Sequence, residues 1–361
     1  MGILNLLSVS APTGLWGNLI NWLSSSIASY AVVLIVLTVL VRAVLLPLDI
    51  YNKYSSKINM RKQAEIKPEI DKLTKQYANN KEMLNKKSME VYRNHNYNIF
   101  GTCFTLLVYM VLTMVVFFTL FSSLNKMSAY KIYNQYVDLR STYAVELGLD
   151  PTTVTDAEIV EKATITELST DADKELVQKA NKAVVARFDE TKESFLWIKN
   201  IWRPDSSGKP VLDYKSFVSS SRLSDAEKQT TTEACYNIVM NPVKDANSGW
   251  NGYFILAVIA AGSTLLSFYI NTLISKARAK KVGKVFIPDA NSNKTMLIIM
   301  PLIMGLFTLF YNAAFGIYIV TGQLFAVVTG PLVTLLVEWF DELKQKKENS
   351  KKIKVSYSRK K

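Results

Sequence analysis

Hydrophobic and polar positions fall into long blocks rather than short alternations. Four windows, residues 1–41, 94–125, 246–275 and 295–337, contain no Lys, Arg, Asp or Glu. A bilayer core is about 30 Å thick, so about 20 mostly apolar residues cross it as a helix. Each window holds at least one such run. The last is 43 residues long. As a single helix it would extend roughly 65 Å at about 1.5 Å per residue, twice the core thickness. It therefore reads as two spans joined by a bend at Tyr311-Asn312-Ala313-Ala314-Phe315-Gly316, where Gly and Asn tolerate the turn. The pattern predicts an all-α membrane protein, a bundle of five transmembrane helices near 28–48, 98–122, 251–275, 295–312 and 316–338. In the external N-terminal segment 1–27, Leu15, Trp16, Leu19, Trp22 and Leu23 recur at helical spacing, with Asn18 and Asn21 between them. That suits an interfacial helix with tryptophans at headgroup level, or a simple continuation of the anchor.

Charge orders the segments between the spans. Residues 51–97 carry eleven Lys/Arg against five Asp/Glu, residues 275–294 six against one, and residues 341–361 nine against three. The long segment 123–250 carries sixteen against nineteen. Five spans put the three basic segments on one side, and the positive-inside rule makes that side cytoplasmic. The N-terminus is expected outside and the C-terminus inside. The basic residues after the first span follow its apolar run, so a retained anchor is expected rather than a cleaved signal peptide.

Residues 49–97 read as two helices, 53–77 and 81–92, broken at Ala78-Asn79-Asn80, which predicts an antiparallel cytoplasmic hairpin. A merely solvated basic linker is the plainer alternative. Residues 276–294 form a cytoplasmic loop and 339–361 a basic cytoplasmic tail. The tail suits anionic phospholipid or ribosomal RNA, since both present phosphates. Segment 123–250 reads as a helical or loosely folded external insertion domain. Thr155-Asp156-Ala157-Glu158 resembles a helix start, and 171–188 has helical composition.

Composition narrows the chemistry. The chain has 361 residues, 49% of them hydrophobic, a formal net charge of +13, and one histidine, His95. Too much apolar surface is present for a disordered chain. Cys103 lies in a span and Cys235 in a hydrophilic segment, so no bridge is expected between them. A single His without a Cys cluster argues against a metal site, and no cofactor is implied. Neither a phosphate-binding Gly loop, a nucleophile elbow nor a pair of intramembrane carboxylates appears, which argues against an enzyme.

Arg42 lies inside the first span. A charge at mid-membrane costs roughly 2.5–3.5 kcal/mol on insertion scales, and arginine keeps its proton. It must snorkel, find a buried partner or face water. Polar residues that could line a wet groove around it include Thr102, Thr105 and Tyr109 in the second span, Ser267 and Asn271 in the third, Asn312 in the fourth, and Thr321 and Gln323 in the fifth. Arg42, with Thr105, Tyr109, Asn312 and Gln323 around it, is the candidate site. A fixed cation in a low-dielectric groove attracts negatively charged polypeptide or small anions. A small-anion transporter or channel is thus one alternative function, and a structural membrane protein acting through 123–250 is another.

These residues resemble the YidC/Oxa/Alb family of membrane protein insertases, bacterial YidC branch. Val41-Arg42-Ala43-Val44-Leu45-Leu46-Pro47-Leu48 is similar to the family's arginine followed by an apolar stretch and Leu-Pro-Leu. Met60, Pro68-Glu69-Ile70, Tyr77 and Tyr92 follow the spacing of its hairpin. Phe195-Leu196-Trp197-Ile198 with Pro204-Asp205 resembles its Phe-Leu-Trp element, and Met300-Pro301 and Ile317-Tyr318-Ile319 its Met-Pro and Leu-Tyr-Trp. Gln323 stands where the family often has asparagine. The second span departs: the usual two prolines and glutamine are lost around Ile99, Tyr109 and Val111, and Ile319 replaces tryptophan.

The resemblance implies a five-helix bundle in the bacterial cell membrane whose groove opens to the cytoplasm and is sealed outside. Its arginine attracts polar external segments of nascent membrane proteins, while client spans slide out along the third and fifth helices. The hairpin makes first contact, the tail holds the ribosome, and members act alone or beside the Sec translocon.

Overall fold

The computed structural model describes residues 9–95, 97, 99–164, 166, 169–281 and 294–358. They form twelve helices: α1 Gly14–Ser26, α2 Tyr30–Gln76, α3 Lys81–Asn94, α4 Ile99–Glu146, α5 Asp156–Ala163, α6 Asp171–Thr191, α7 Tyr214–Ser221, α8 Asp225–Thr230, α9 Glu233–Ala246, α10 Ile255–Lys281, α11 Lys294–Phe310 and α12 Ala313–Ser358. Among the described residues the only β pairing is an isolated antiparallel bridge between Phe195 and Ile198.

Four helical stretches are long and apolar enough to cross a membrane, Tyr30–Gln76, Leu107–Glu146, Ile255–Ala277 and Ala313–Lys344. Leu297–Phe310 is a shorter apolar helix. The bend expected over six residues is confined to Tyr311 and Asn312, so Gly316 is already helical. Most of the expected loop 276–294 and the first eight residues lie outside the described residues.

The chain divides into two compact units. The first takes the described residues up to Leu37, Phe118–Ala260 and Met304–Val320. Segment 123–250 has its own core, in which aliphatic side chains such as Leu139, Ile159, Val184 and Val239 are joined by aromatic rings. Tyr136, Phe217 and Tyr236 pack with centroids 4.7–5.1 Å apart. Helix starts are well specified: Thr155 with Glu158, Thr170 with Asp173 and Ser224 with Glu227 form reciprocal capping boxes. Asp156 binds three elements together. It accepts from Arg140 Nε on α4 at 2.8 Å and from the Thr232 N–H at the start of α9 at 2.7 Å.

An irregular stretch in this unit terminates three apolar helices. The buried Asp205 carboxylate accepts from Trp197 Nε1 at 3.1 Å and from the Leu256 N–H in the first turn of α10 at 3.0 Å. Asn251 bonds the backbone on both sides of Asn200. The Ala313 and Ala314 N–H groups that open α12 donate to the carbonyls of Arg203 and Ile201. Ser206 Oγ donates to the Leu309 carbonyl near the end of α11. Backbone groups left over at helix ends are costly to bury unpaired, and this stretch pairs several of them.

The second unit takes Thr38–Phe117, Ala261–Ile303 and the described residues from Thr321. Here α2 runs unbroken through Pro47 and Pro68 to Gln76. A turn at residues 77–80 follows, and Asn80 caps α3 by accepting from the Met83 N–H at 3.0 Å. His95 Nε2 lies 3.1 Å from Glu69 Oε1, and Gln63 Nε2 donates to the Tyr97 hydroxyl at 2.6 Å. The chain after α3 thus returns alongside α2.

Helices α2 and α12 run parallel in a constant register. Lys53 meets Thr334, Lys57 meets Glu338 at 3.6 Å, and Arg61 meets Asp341 at 2.7 Å. Each partner lies 280 or 281 residues further along the chain.

Candidate functional site

The site lies within the second unit and is built on one face of α2. Positions i, i+7 and i+11 of a helix share a face, and Arg42, Asp49 and Lys53 have that spacing. Arg42 is twelve residues, about 18 Å at 1.5 Å per residue, from the start of α2 at Tyr30.

Gly322 on α12 makes room for Arg42. A Cβ at 322 would lie 3.1 Å from Arg42 Nη2 and 3.3 Å from Nε, closer than ordinary van der Waals contact. The guanidinium therefore rests on bare backbone. This contact continues the α2–α12 register, since 322 is 280 residues beyond 42. Arg42 is half-buried. Among the described residues it has no ion-pair partner.

Tyr109 on α4 donates its hydroxyl to Asp49 Oδ1 at 2.7 Å, and it is near enough to Arg42 for their charges to interact. A cation and a carboxylate therefore sit two turns apart on α2, with one phenol in the field of both.

One turn further on, Lys53 Nζ donates to Thr334 Oγ1 at 2.6 Å and to Asn271 Oδ1 at 3.4 Å. Thr334 Oγ1 donates to Asn271 Oδ1 at 2.7 Å, and Asn271 Nδ2 donates to the Ser267 carbonyl at 2.8 Å. Gly330 permits this approach of α10 and α12, for a Cβ there would lie 2.9 Å from Asn271 Nδ2. Below this cluster come the Lys57–Glu338 and Arg61–Asp341 pairs.

Of the sequence candidates, Arg42 and Tyr109 come together with Asp49. Gln323 directly follows Gly322 and is half-buried. The Thr105 side chain lies outside the described residues. Asn312 belongs to the other unit and caps α12, its Oδ1 accepting from the Phe315 N–H at 3.0 Å. Sequence reasoning missed Asp49, Lys53, Thr334 and Gly322. The one-face spacing of 42, 49 and 53 was the available signal for the first two. Nothing local to Gly322 or Thr334 announces a partner 280 residues away.

Chemically the face offers fixed charges and hydrogen-bonding groups, which bind and orient polar groups. Among the described residues, no cluster of three or more His, Cys, Asp or Glu could hold a metal ion.

Comparison with known proteins agrees with the sequence resemblance. The family model of the 60Kd inner membrane protein matches residues 22–335. A membrane protein insertase YidC of Fusobacterium nucleatum is 33% identical over 99 residues, 27% of this chain and 46% of that protein. A YidC of Clostridium perfringens is 37% identical over 91 residues, 25% of this chain and 37% of the relative. One of Clostridium tetani is 40% identical over 81 residues, 22% and 34% of the two chains. The matched region thus spans less than half the length of these curated relatives. No solved structure matches. With most of its length matched by one family model, and with insertases of the YidC/Oxa/Alb type as relatives, this multi-pass membrane chain belongs to the 60Kd inner membrane protein family.

Proposed function

We propose that this chain is a membrane protein insertase and folding chaperone of the bacterial cell membrane, acting without covalent catalysis. Polar external segments of nascent membrane proteins enter a hydrophilic groove centred on Arg42, with Thr105, Tyr109 and Gln323 among its polar groups. The observation that carries this reading is Arg42 itself, a half-buried guanidinium in an apolar helix, seated on Gly322 with no ion pair of its own among the described residues. An arginine kept uncompensated at that depth is costly, and a client carboxylate is the group that offsets the cost. The relatives, membrane protein insertases by name, support the same activity.

The rest of the reading follows from charge. Five spans, with α11 as the short fourth, put the N-terminus outside and the C-terminus in the cytoplasm, where the basic segments face anionic phospholipid. The C-terminal half of α2 and α3 form the cytoplasmic hairpin that first meets a client. The basic tail holds the ribosome, and the chain works alone or beside the Sec translocon. Within the first unit, the stretch around Asp205 pairs backbone groups at the ends of α10, α11 and α12.

The test is insertion by purified protein in liposomes of a single-span client with an acidic external tail, read by protease protection. Protection with wild type, lost in Arg42→Ala and largely kept in Arg42→Lys, is the expected result. Equal protection in all three variants would move the mechanism from groove charge to groove hydration. No protection above empty liposomes, with client binding confirmed, would overturn autonomous insertion.

A further inference from the structure

We propose that the first unit holds a second, separate binding site, for the phosphate group of an anionic lipid headgroup, in the cavity lined by Lys126, Arg222 and the strand of chain that enters α1. The cavity is open to solvent, with a volume of about 270 Å³, and its two cations are exposed. Lys126 on α4 and Arg222 at the end of α7 are its charged lining groups, and no carboxylate lines it. Among the described residues neither cation has a hydrogen-bond or ion-pair partner. Ser10 and Thr13 add hydroxyls. Thr13 precedes α1 without its side chain capping the first turn, and that turn contains no acidic residue. The N–H groups at a helix start favour an anion.

Backbone strain points to the same residue. Arg222 adopts φ 53 and ψ 43, the left-handed conformation at the end of α7. Glycine is the residue that suits this position, and a bulky side chain there is strained. Strain of this kind clusters where a side chain must be presented to a ligand. Here it presents a guanidinium to a cavity that already holds a lysine.

Position in the chain selects a lipid. Lys126 is the first charge after the charge-free window 94–125, which places it at the boundary between hydrocarbon and water. The cavity-lining residues 9–13 lead directly into α1, whose Leu15 and Trp22 are 75% and 61% exposed. An apolar, tryptophan-bearing helix face beside paired cations suits the headgroup layer. This site does not depend on the insertase reading.

The full chain would be reconstituted in phosphatidylcholine vesicles containing a photoactivatable phosphatidylglycerol, and the crosslinked peptides mapped. Labelling is expected on peptides carrying residues 9–13, Lys126 and Arg222. It should fall about fivefold in Lys126→Gln and again in Arg222→Gly, the effect of losing one basic residue at a membrane surface. Labelling of the basic tail serves as the unchanged control. Arg222→Gly should leave the thermal midpoint unchanged or raised, since glycine relieves the backbone. Labelling confined to the tail, labelling insensitive to both substitutions, or a lowered midpoint in Arg222→Gly would each overturn the proposal. So would loss of labelling to millimolar glycerol 3-phosphate, which would assign the cavity to a soluble phosphate ester.

Discussion

Graded enlargement of Gly322 tests whether the position of Arg42, and not only its charge, drives the proposed insertion. In Gly322→Ala the new methyl would meet Nη2 at 3.1 Å and Nε at 3.3 Å. The guanidinium ends a flexible stem and needs to retreat by only a few tenths of an ångström, costing about 0.5–1.5 kcal/mol if a side-chain torsion is driven off its well. Gly322→Leu is different in kind, because its branched end occupies the volume where the guanidinium now rests. The charge must leave the backbone of α12.

A client carboxylate about 4 Å from Arg42 gains between ~1 kcal/mol in water-like surroundings and ~4 kcal/mol at an effective dielectric of about 20. At about 1.4 kcal/mol per decade, that is roughly fivefold to several hundredfold in transfer of an acidic tail. Liposome insertion of two clients, one with an acidic and one with a neutral external tail, gives the ratio directly. Gly322→Ala is expected within about fivefold of wild type, and Gly322→Leu to match Arg42→Ala. A Gly322→Leu protein that keeps the native tryptic pattern and still favours the acidic tail as wild type does would refute the reasoning.

Three further outcomes follow from other contacts. Removing the Asp156 carboxylate strands the Arg140 guanidinium, whose side chain is 9% exposed, and breaks the bonds to Thr232. Breaking such a buried pair costs about 3–5 kcal/mol, so Asp156→Ala should speed limited proteolysis of segment 123–250 by at least a hundredfold, and equal rates would contradict it. Single charge reversals at Arg61 or Asp341 should each lower thermal stability, by about 1–3 kcal/mol, while the swapped pair Arg61→Asp with Asp341→Arg recovers most of it in a double-mutant cycle. Burial, with Asp156 nearby, pushes the Cys235 thiol up to about 12. Its reactive thiolate is therefore almost absent at pH 8, and maleimide should label Cys235 only after denaturation.

Much of the architecture was legible because membrane burial writes itself as missing charge. The apolar blocks located four helices long and apolar enough to cross and the shorter α11, and the Ala78-Asn79-Asn80 break fell where α2 gives way to α3. Local capping was also readable, as at Thr155 and Glu158. Segment 123–250 was harder. Its core uses Tyr136, Phe217 and Tyr236, whose separation in sequence gives no periodic signal. In the candidate site, Arg42 announced itself as a charge in an apolar run. Gly322 did not, because a glycine matters here through what rests upon it, and that contact is 280 residues distant. Asn312 carried a polar signal that its cap to Phe315 accounts for.

The constant offset between α2 and α12 has a mechanical consequence. Its rungs run from residue 42 to residue 61 on α2, nineteen residues and about 28 Å of helix. Sliding one helix past the other by a single residue, about 1.5 Å and 100° of rotation, would misalign both ion pairs and drive Arg42 off its glycine. The two helices therefore act as a splinted seam that tilts or swings as one body.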